Sequence, residues 1–209
     1  MALRAVVFDY GMVLSGPPDP QAHAALMRIT GLPLDRFESL YWADRPLYDG
    51  GKLTGIEYWQ KFLSDAGIDF EPGTVEELNQ WDARLWTTQN TAMVAWQQQL
   101  KKHGLLTAIL SNIGDDVLAN VEREFKWIHR FDLLVWSYQV HMVKPNPAIY
   151  RYTLKKLGTR HEETLFLDDK AVNVEAARGV GMKALEFSTV KRLREELIAA
   201  GLDKVLPLP

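Results

Sequence analysis

Four short segments of this chain carry residue types that can act together in catalysis. They are Asp9 after the apolar residues 5–8, Ser111-Asn112 after 105–110, Lys144 before Pro145, and Asp168-Asp169 after 164–167. In an open parallel sheet, ligands bind outside the carboxyl ends of the strands. The four segments therefore predict one site built from distant parts of the chain, in which a carboxylate attacks as a nucleophile or holds a cation.

The elements that must position these residues alternate along most of the chain. Strands are predicted at 4–8, 105–110, 132–136, 163–167 and 183–187, and helices near 91–103, 115–125, from Pro147, 172–179 and 190–200. Strands that alternate with helices of ten or more residues imply right-handed crossovers and a doubly wound parallel sheet.

The segment after the first strand has a different pattern. From about residue 20 to 90 it is helical throughout, with helices predicted near 20–30, 35–44, 55–67 and 74–88. Thr54–Glu57 and Thr74–Glu77 both fit a capping box at a helix start. The predicted fold is therefore α/β, with a doubly wound parallel sheet formed by 1–15 and 89–209 and a helical insertion at 16–88.

Composition excludes several classes of function. The 209 residues contain no cysteine, which rules out disulfides, thiolate catalysis and zinc–thiolate sites. A formal net charge of −3 without a basic block argues against a nucleic-acid or acidic-membrane partner. The N-terminal apolar run is too short for a signal-peptide core, and no run reaches the length of a membrane span. The default expectation is a cytoplasmic protein without a membrane partner, as a monomer or a homodimer.

The four segments, in this order, resemble the motifs of the haloacid dehalogenase superfamily. They read Val7–Leu14, Leu110-Ser111-Asn112, Val143-Lys144-Pro145 and Phe166–Asp169. Four ordered motifs on a matching α/β alternation are far more specific than a single short pattern. Within the superfamily, the chain is similar to bacterial sugar-phosphate phosphatases whose first motif is Asp-x-Gly, and to the phosphatase domain of soluble epoxide hydrolase. The helical insertion has the position of the family's cap domain.

The resemblance implies a Mg²⁺-dependent hydrolysis of a small phosphorylated metabolite, with a sugar phosphate as one expectation. Asp9 would be the nucleophile that forms an aspartyl-phosphate, and Lys144 would neutralise charge and hold Asp9 ionised. Ser111 and Asn112 would bind the phosphoryl oxygens through a hydroxyl and main-chain N–H groups. The metal ligands would be Asp9, the carbonyl of Gly11, Asp169 and Asp168, with Asn173 as an outer partner of the site.

Gly11 departs from the pattern of typical family phosphatases. Most of them carry a second aspartate there, which protonates the leaving oxygen and later activates water. General acid–base catalysis commonly contributes about 10²–10⁴-fold, so its absence predicts slow turnover, a good leaving group or a substitute acid. An anomeric sugar phosphate would fit the second of these expectations.

The insertion supplies the remaining candidate residues. Arg45, in a predicted loop before Pro46, is a candidate anion or substrate contact, although an arginine there would more commonly be a surface residue. The aromatic residues of the insertion are expected mostly in its core, with one or two at the substrate pocket. They are Tyr41, Trp42, Tyr48, Tyr58, Trp59, Trp81 and Trp86.

Two other functions remain open from the sequence. A 2-haloacid dehalogenase also lacks the second acid, but it needs no cation, so the retained Asp168-Asp169 pair argues against it. A phospho-ligand-binding module without catalysis is the other possibility, and Gly11 makes it plausible. The intact Asp9, Lys144 and Asp169 favour an enzyme.

Overall fold

A five-stranded parallel sheet forms the centre of the molecule. The structure is a computed structural model and describes residues 3–209. The sheet has the order β3-β2-β1-β4-β5, with every neighbouring pair parallel. Its strands are β1 (Ala5–Phe8), β2 (Leu106–Ser111), β3 (Leu133–Trp136), β4 (Thr164–Asp168) and β5 (Lys183–Glu186). The predicted α/β class and all five predicted strands are confirmed.

Helices connect the strands and fill the segment that follows β1. In chain order they are α1 (Pro20–Thr30), α2 (Leu34–Ala43), α3 (Arg45–Asp49), α4 (Gly55–Ala66), α5 (Pro72–Leu85), α6 (Thr91–Lys102), α7 (Asp115–Glu124), α8 (Ser137–Val140), α9 (Pro147–Leu157), α10 (Ala171–Gly179) and α11 (Val190–Ala199). None of the helices within residues 3–209 is long and apolar enough to cross a membrane.

The sheet is buried because both of its faces are covered. Successive side chains of a strand point to opposite faces. In β1, Val6 and Phe8 pack into one apolar cluster and Val7 packs into the other. All four residues of β1 are buried, so this strand carries no alternating polar pattern. A central, fully buried strand gives the residue after it a fixed position.

Side chains cap two of the five helices between residues 20 and 85: Asp19 caps α1 and Thr54 caps α4, whereas α2, α3 and α5 have no side-chain cap. Thr54 and Glu57 form the predicted capping box at the start of α4. The second predicted box at Thr74–Glu77 is wrong, because α5 already begins at Pro72 after Glu71. Proline suits the first turn of a helix, since its missing N–H has no partner to lose there. The division into a core domain and a cap domain at residues 16 and 89 stays a prediction.

Candidate active site

Asp9, Ser111 and Asp168 lie at the same edge of the sheet. β1 pairs with β2 on one side and with β4 on the other, and each strand runs in the same direction. The main-chain N–H of Asp9 donates to the carbonyl oxygen of Leu167 at 2.8 Å, which extends the pairing beyond β1. The ends of three neighbouring strands thus bring together side chains that are far apart in the sequence.

Lys144 joins two of these carboxylates through its ammonium group. Its Nζ lies 2.8 Å from Oδ1 of Asp9 and 2.6 Å from Oδ2 of Asp168, and its side chain is buried. Burial lowers the pKa of Lys144, but the charges of Asp9 and Asp168 raise it further, so the net shift is upward. Lys144 therefore stays protonated beside the candidate nucleophile.

The side chain of Asn112 holds the main chain of Lys144 in place. Its Oδ1 accepts a hydrogen bond from the N–H of Lys144 at 2.8 Å, and its Nδ2 donates to the carbonyl of Lys144 at 2.9 Å. These bonds use Oδ1 and one of the two Nδ2 hydrogens, so the main-chain N–H of Asn112 and the second Nδ2 hydrogen are the groups left for phosphate binding. That contribution stays a prediction, and the positioning of Lys144 is a contact that sequence reasoning missed.

Asp168 is fully buried and its two oxygens are occupied. Oδ1 accepts hydrogen bonds from the main-chain N–H of Lys170 and from Asn173, both at 2.9 Å. Oδ2 accepts from Lys144 at 2.6 Å and from Asn173 at 3.1 Å. A carboxylate offers about four lone-pair sites, so little acceptor capacity is left. In this arrangement Asp168 orients Lys144, and its predicted role as a direct metal ligand stays a prediction that the hydrogen bonds do not favour.

Three acidic side chains at this edge of the sheet are close enough together to hold a divalent cation. Single oxygens of Asp9, Asp168 and Asp169 all lie within 4.8 Å of one another. Burial raises the pKa of Asp9, and Lys144 opposes this shift. Burial and the charge of Asp168 raise the pKa of Asp169. Three carboxylates around one ammonium leave an excess of negative charge, and hard oxygen donors are what Mg²⁺ prefers. Asp9 and Asp169 would hold the ion, while a ligand role for the Gly11 carbonyl stays a prediction.

A cavity of about 380 Å³ opens in front of these groups. Ser111 is buried and lines the cavity, and within residues 3–209 its hydroxyl makes only one long hydrogen bond, 3.4 Å to the carbonyl of Asn112. This hydroxyl is therefore available to an incoming oxygen. The rest of the lining is mostly apolar and comes from both the insertion and the sheet side, including Met12, Trp42, Pro46, Trp86, Ile113, Val117 and Val172.

The structure corrects the expected setting of Arg45. This residue begins helix α3 instead of lying in a loop, and it is buried rather than at the surface. Its Nη1 lies 2.7 Å from Oδ2 of Asp82, and its guanidinium carbon lies 4.8 Å from the ring centre of Tyr41. An arginine loses less hydration free energy than a lysine on burial, which suits this aromatic environment. Arg45 lines the cavity, so its predicted role in substrate binding stays open, but its charge is already paired.

Asp49 and Asp82 are two buried acids that sequence reasoning missed. Asp49 lies four residues after Arg45, a spacing at which side chains of a helix are neighbours. This pair could therefore have been predicted from the sequence. Asp82 lies 37 residues from Arg45 and 41 from Tyr41, and no local pattern links them.

The family sequence profile described as haloacid dehalogenase-like hydrolase matches residues 57–187, more than half of the chain. This chain belongs to the haloacid dehalogenase-like hydrolases. It is 34% identical over 187 residues to a sesquiterpene phosphatase of Aspergillus oryzae, with 88% of this chain and 90% of that protein covered. It is also 27% identical to an (S)-2-haloacid dehalogenase of Burkholderia cepacia, with 93% and 84% covered.

The mouse bifunctional epoxide hydrolase 2 is a longer relative. It is 31% identical over 232 aligned residues, which cover all of this chain and 41% of the mouse protein. The chain thus spans less than half the length of the mouse and rat epoxide hydrolases that it matches. A HAD-family enzyme of Bacteroides thetaiotaomicron, solved with magnesium and inorganic phosphate, has the same fold, with a TM-score of 0.72 at 19% identity over 90% of this chain and 95% of that one.

Proposed function

We propose that this hydrolase is a Mg²⁺-dependent phosphatase of a small phosphorylated metabolite, and that the reaction proceeds through an aspartyl-phosphate on Asp9. The observation that carries the proposal is the position of Lys144, whose ammonium lies between Asp9 and Asp168 with Asp169 beside them. In this arrangement the carboxylate of Asp9 faces a cavity that Lys144 and Asp169 also line. A phosphoryl group needs such an environment in order to accept an anionic nucleophile.

Each side chain has a defined task in this reaction. The carboxylate of Asp9 attacks phosphorus in line with the leaving oxygen, and Lys144 keeps Asp9 ionised and neutralises charge on the phosphoryl oxygens. The hydroxyl of Ser111 donates to one of those oxygens. When bound, Mg²⁺ would screen the charge of the phosphate and orient it. Water then attacks phosphorus, releases inorganic phosphate and restores Asp9.

The residues that line the cavity indicate which class of substrate it would bind. Trp42, Trp86 and Val172 stand among a mostly apolar lining, and such a surface favours a phosphate ester whose organic group is apolar. The similarity to a sesquiterpene phosphatase supports the same class. A sugar phosphate, which the sequence also suggested, requires hydrogen-bonding partners around its ring. We therefore favour an apolar alkyl or isoprenoid phosphate over a sugar phosphate as the substrate.

A phosphatase screen with and without magnesium tests the proposal. The panel contains isoprenoid phosphates, sugar phosphates and p-nitrophenyl phosphate, and Asp9→Asn is the control because it removes the nucleophile without changing its size. We expect activity that EDTA abolishes and that Asp9→Asn lacks. Chelator-insensitive release of halide from a 2-haloacid would favour the dehalogenase instead. Trapping of a beryllofluoride adduct on Asp9 without turnover of any phosphate ester would favour a binding module.

A further inference from the structure

The space beside the nucleophile, where typical family phosphatases carry their second aspartate, is open in this protein. The backbone of Gly11 has φ −60° and ψ 131°, a conformation that any residue can adopt. Among residues 3–209, a Cβ built at Gly11 would approach only Oδ2 of Asp9, at 4.0 Å. The glycine is therefore not required by the backbone, and its missing side chain enlarges the cavity next to Asp9.

Asp49 lines the same cavity from the insertion. It is the last residue of α3 and is 7% exposed. Its main-chain carbonyl accepts a hydrogen bond of 2.6 Å from the hydroxyl of Ser137, which follows β3 directly. This bond ties the end of α3 to the carboxyl edge of the sheet. Asp49 thus belongs to a fixed segment of the insertion and lines the cavity into which Asp9 also faces.

The charges around Asp49 favour its protonated form. Arg45 is shared between two buried acids, and Asp82 has the better geometry, with Oδ2 accepting from Arg45 at 2.7 Å and Oδ1 accepting from Tyr41 at 2.7 Å. Arg45 Nε is 3.3 Å from Oδ1 of Asp49, and within residues 3–209 this oxygen accepts no hydrogen bond. One cation beside two buried carboxylates leaves one negative charge in excess, and a proton on the less well-paired acid removes it.

The pKa of Asp49 follows from these neighbours. Burial raises it, Arg45 lowers it, the charge of Asp82 raises it and Lys170 lowers it, with a net value of about 6. The other titratable groups packed around the cluster are the hydroxyls of Tyr41, Tyr48 and Tyr58, whose pKa values burial raises well above the ordinary value, so they remain neutral.

We infer that Asp49 is the proton donor of the reaction, a substitute from the insertion for the acid that Gly11 lacks; this inference rests on the proposed phosphatase function. As Asp9 bonds to phosphorus and the ester P–O bond breaks, the Asp49 carboxyl gives its proton to the leaving oxygen, which departs as a neutral alcohol. In the second step, Asp49 accepts a proton from the water that attacks the aspartyl-phosphate. Inorganic phosphate leaves, and both carboxyl groups return to their starting forms.

The test compares leaving groups, because a proton donor matters only where the leaving oxygen is strongly basic. Octyl phosphate has a poor leaving group and p-nitrophenyl phosphate has a good one. For Asp49→Asn we expect kcat to fall about 100-fold on octyl phosphate and less than about threefold on p-nitrophenyl phosphate. The ratio of the wild-type rate to the variant rate on octyl phosphate should fall as the pH rises through about 6, where Asp49 loses its proton. The titration of Asp9 affects both proteins and cancels in this ratio.

A second variant separates loss of the proton donor from loss of structure. Gly11→Asp in the Asp49→Asn background places a carboxyl in the open space beside Asp9, and we expect it to restore octyl phosphate turnover at least about tenfold. Asp65→Asn, the same change at an exposed position of α4, should alter neither substrate.

Either of two results would overturn the inference. One is an equal fall on both substrates without rescue by Gly11→Asp, which is the signature of a structural role. The other is an unchanged rate on octyl phosphate. Both leave the proposed phosphatase function intact, since that function fails if the wild type turns over no phosphate ester or if Asp9→Asn retains activity on p-nitrophenyl phosphate.

Discussion

Two buried clusters in this protein each place one cation between two carboxylates, and we propose different roles for them. At the edge of the sheet, Lys144 lies between Asp9 and Asp168. In the insertion, Arg45 lies between Asp82 and Asp49. Each cluster has one cation and two carboxylates, so each has an excess of negative charge. The first has a further acid, Asp169, close to both of its carboxylates, whereas in the second the rings of three tyrosines lie around Arg45.

The difference shows how surroundings decide what an excess charge can do. At the sheet edge, a bound divalent cation would neutralise the excess and favour the ionised, nucleophilic form of Asp9. Among residues 3–209, no third acid is grouped with Asp49 and Asp82 as it is at the sheet edge, so a proton is the simplest species that can neutralise the insertion cluster. In the proposed mechanism, similar arrangements of charge thus supply a nucleophile in one region and a proton donor in the other.

The largest effect should come from removing the cation of the sheet-edge cluster. Lys144→Met leaves two buried carboxylates without their partner, and we expect kcat to fall by at least about 10²–10³-fold. The free energy of unfolding should fall by about 3–5 kcal/mol, because an uncompensated buried charge is costly. Urea denaturation and steady-state kinetics measure the two losses. Lys61→Met, at a half-exposed pair on α4, is the matched control and should cost at most about 1 kcal/mol.

The next largest effect should come from replacing Asp82, which pairs with Arg45 in the insertion cluster. Asp82→Asn removes a hydrogen bond to a charged group, so the free energy of unfolding should fall by about 1.5–3 kcal/mol. The charge of Asp82 raises the pKa of Asp49, and its loss therefore lowers that pKa. The fall in octyl phosphate turnover with rising pH should then occur at a lower pH than in the wild type. An unshifted pH profile would show that the two acids are not coupled.

Asn112→Ala tests how strictly the sheet-edge cluster must be positioned. The substitution removes the two hydrogen bonds to the main chain of Lys144, at about 0.5–1.5 kcal/mol each, and leaves the ammonium in place. We expect kcat to fall about tenfold with little change in KM, because the displaced group acts on charge that develops in the transition state. A rise in KM with kcat unchanged would instead mean that Asn112 contributes to substrate binding alone.

The smallest effect should come from replacing Trp42, which lines the cavity. The ammonium of Lys170 lies 4.6 Å from the ring centre of Trp42, which is 45% exposed. Trp42→Ala removes apolar contact surface, so KM for an isoprenoid phosphate should rise about three- to tenfold, which corresponds to about 1 kcal/mol. KM for a phosphate ester with a very small organic group, such as methyl phosphate, should change less. Equal changes on both would place Trp42 outside the binding surface for the organic group.

The two clusters also differ in how many of their residues and contacts could be predicted from the sequence. Asp9, Ser111 and Asp168 end buried strands of a parallel sheet, and the geometry of such sheets places those ends together. The setting of Arg45 was predicted wrongly, because Pro46 indicated a loop and the residue instead begins α3. Asp82 approaches Arg45 only because α3 and α5 are brought together when the insertion folds.

Local periodicity and the order of the motifs by themselves determined the parallel α/β fold, the family and the segments that meet at the sheet edge. They could do so because each strand end is specified by its own few residues. Only the tertiary structure decided that Asn112 holds Lys144, that four hydrogen bonds occupy Asp168, and that Asp49 lies in the cavity beside a paired arginine. Those contacts depend on how separate helices pack, and packing is set by the whole apolar surface of the chain rather than by any short stretch of it.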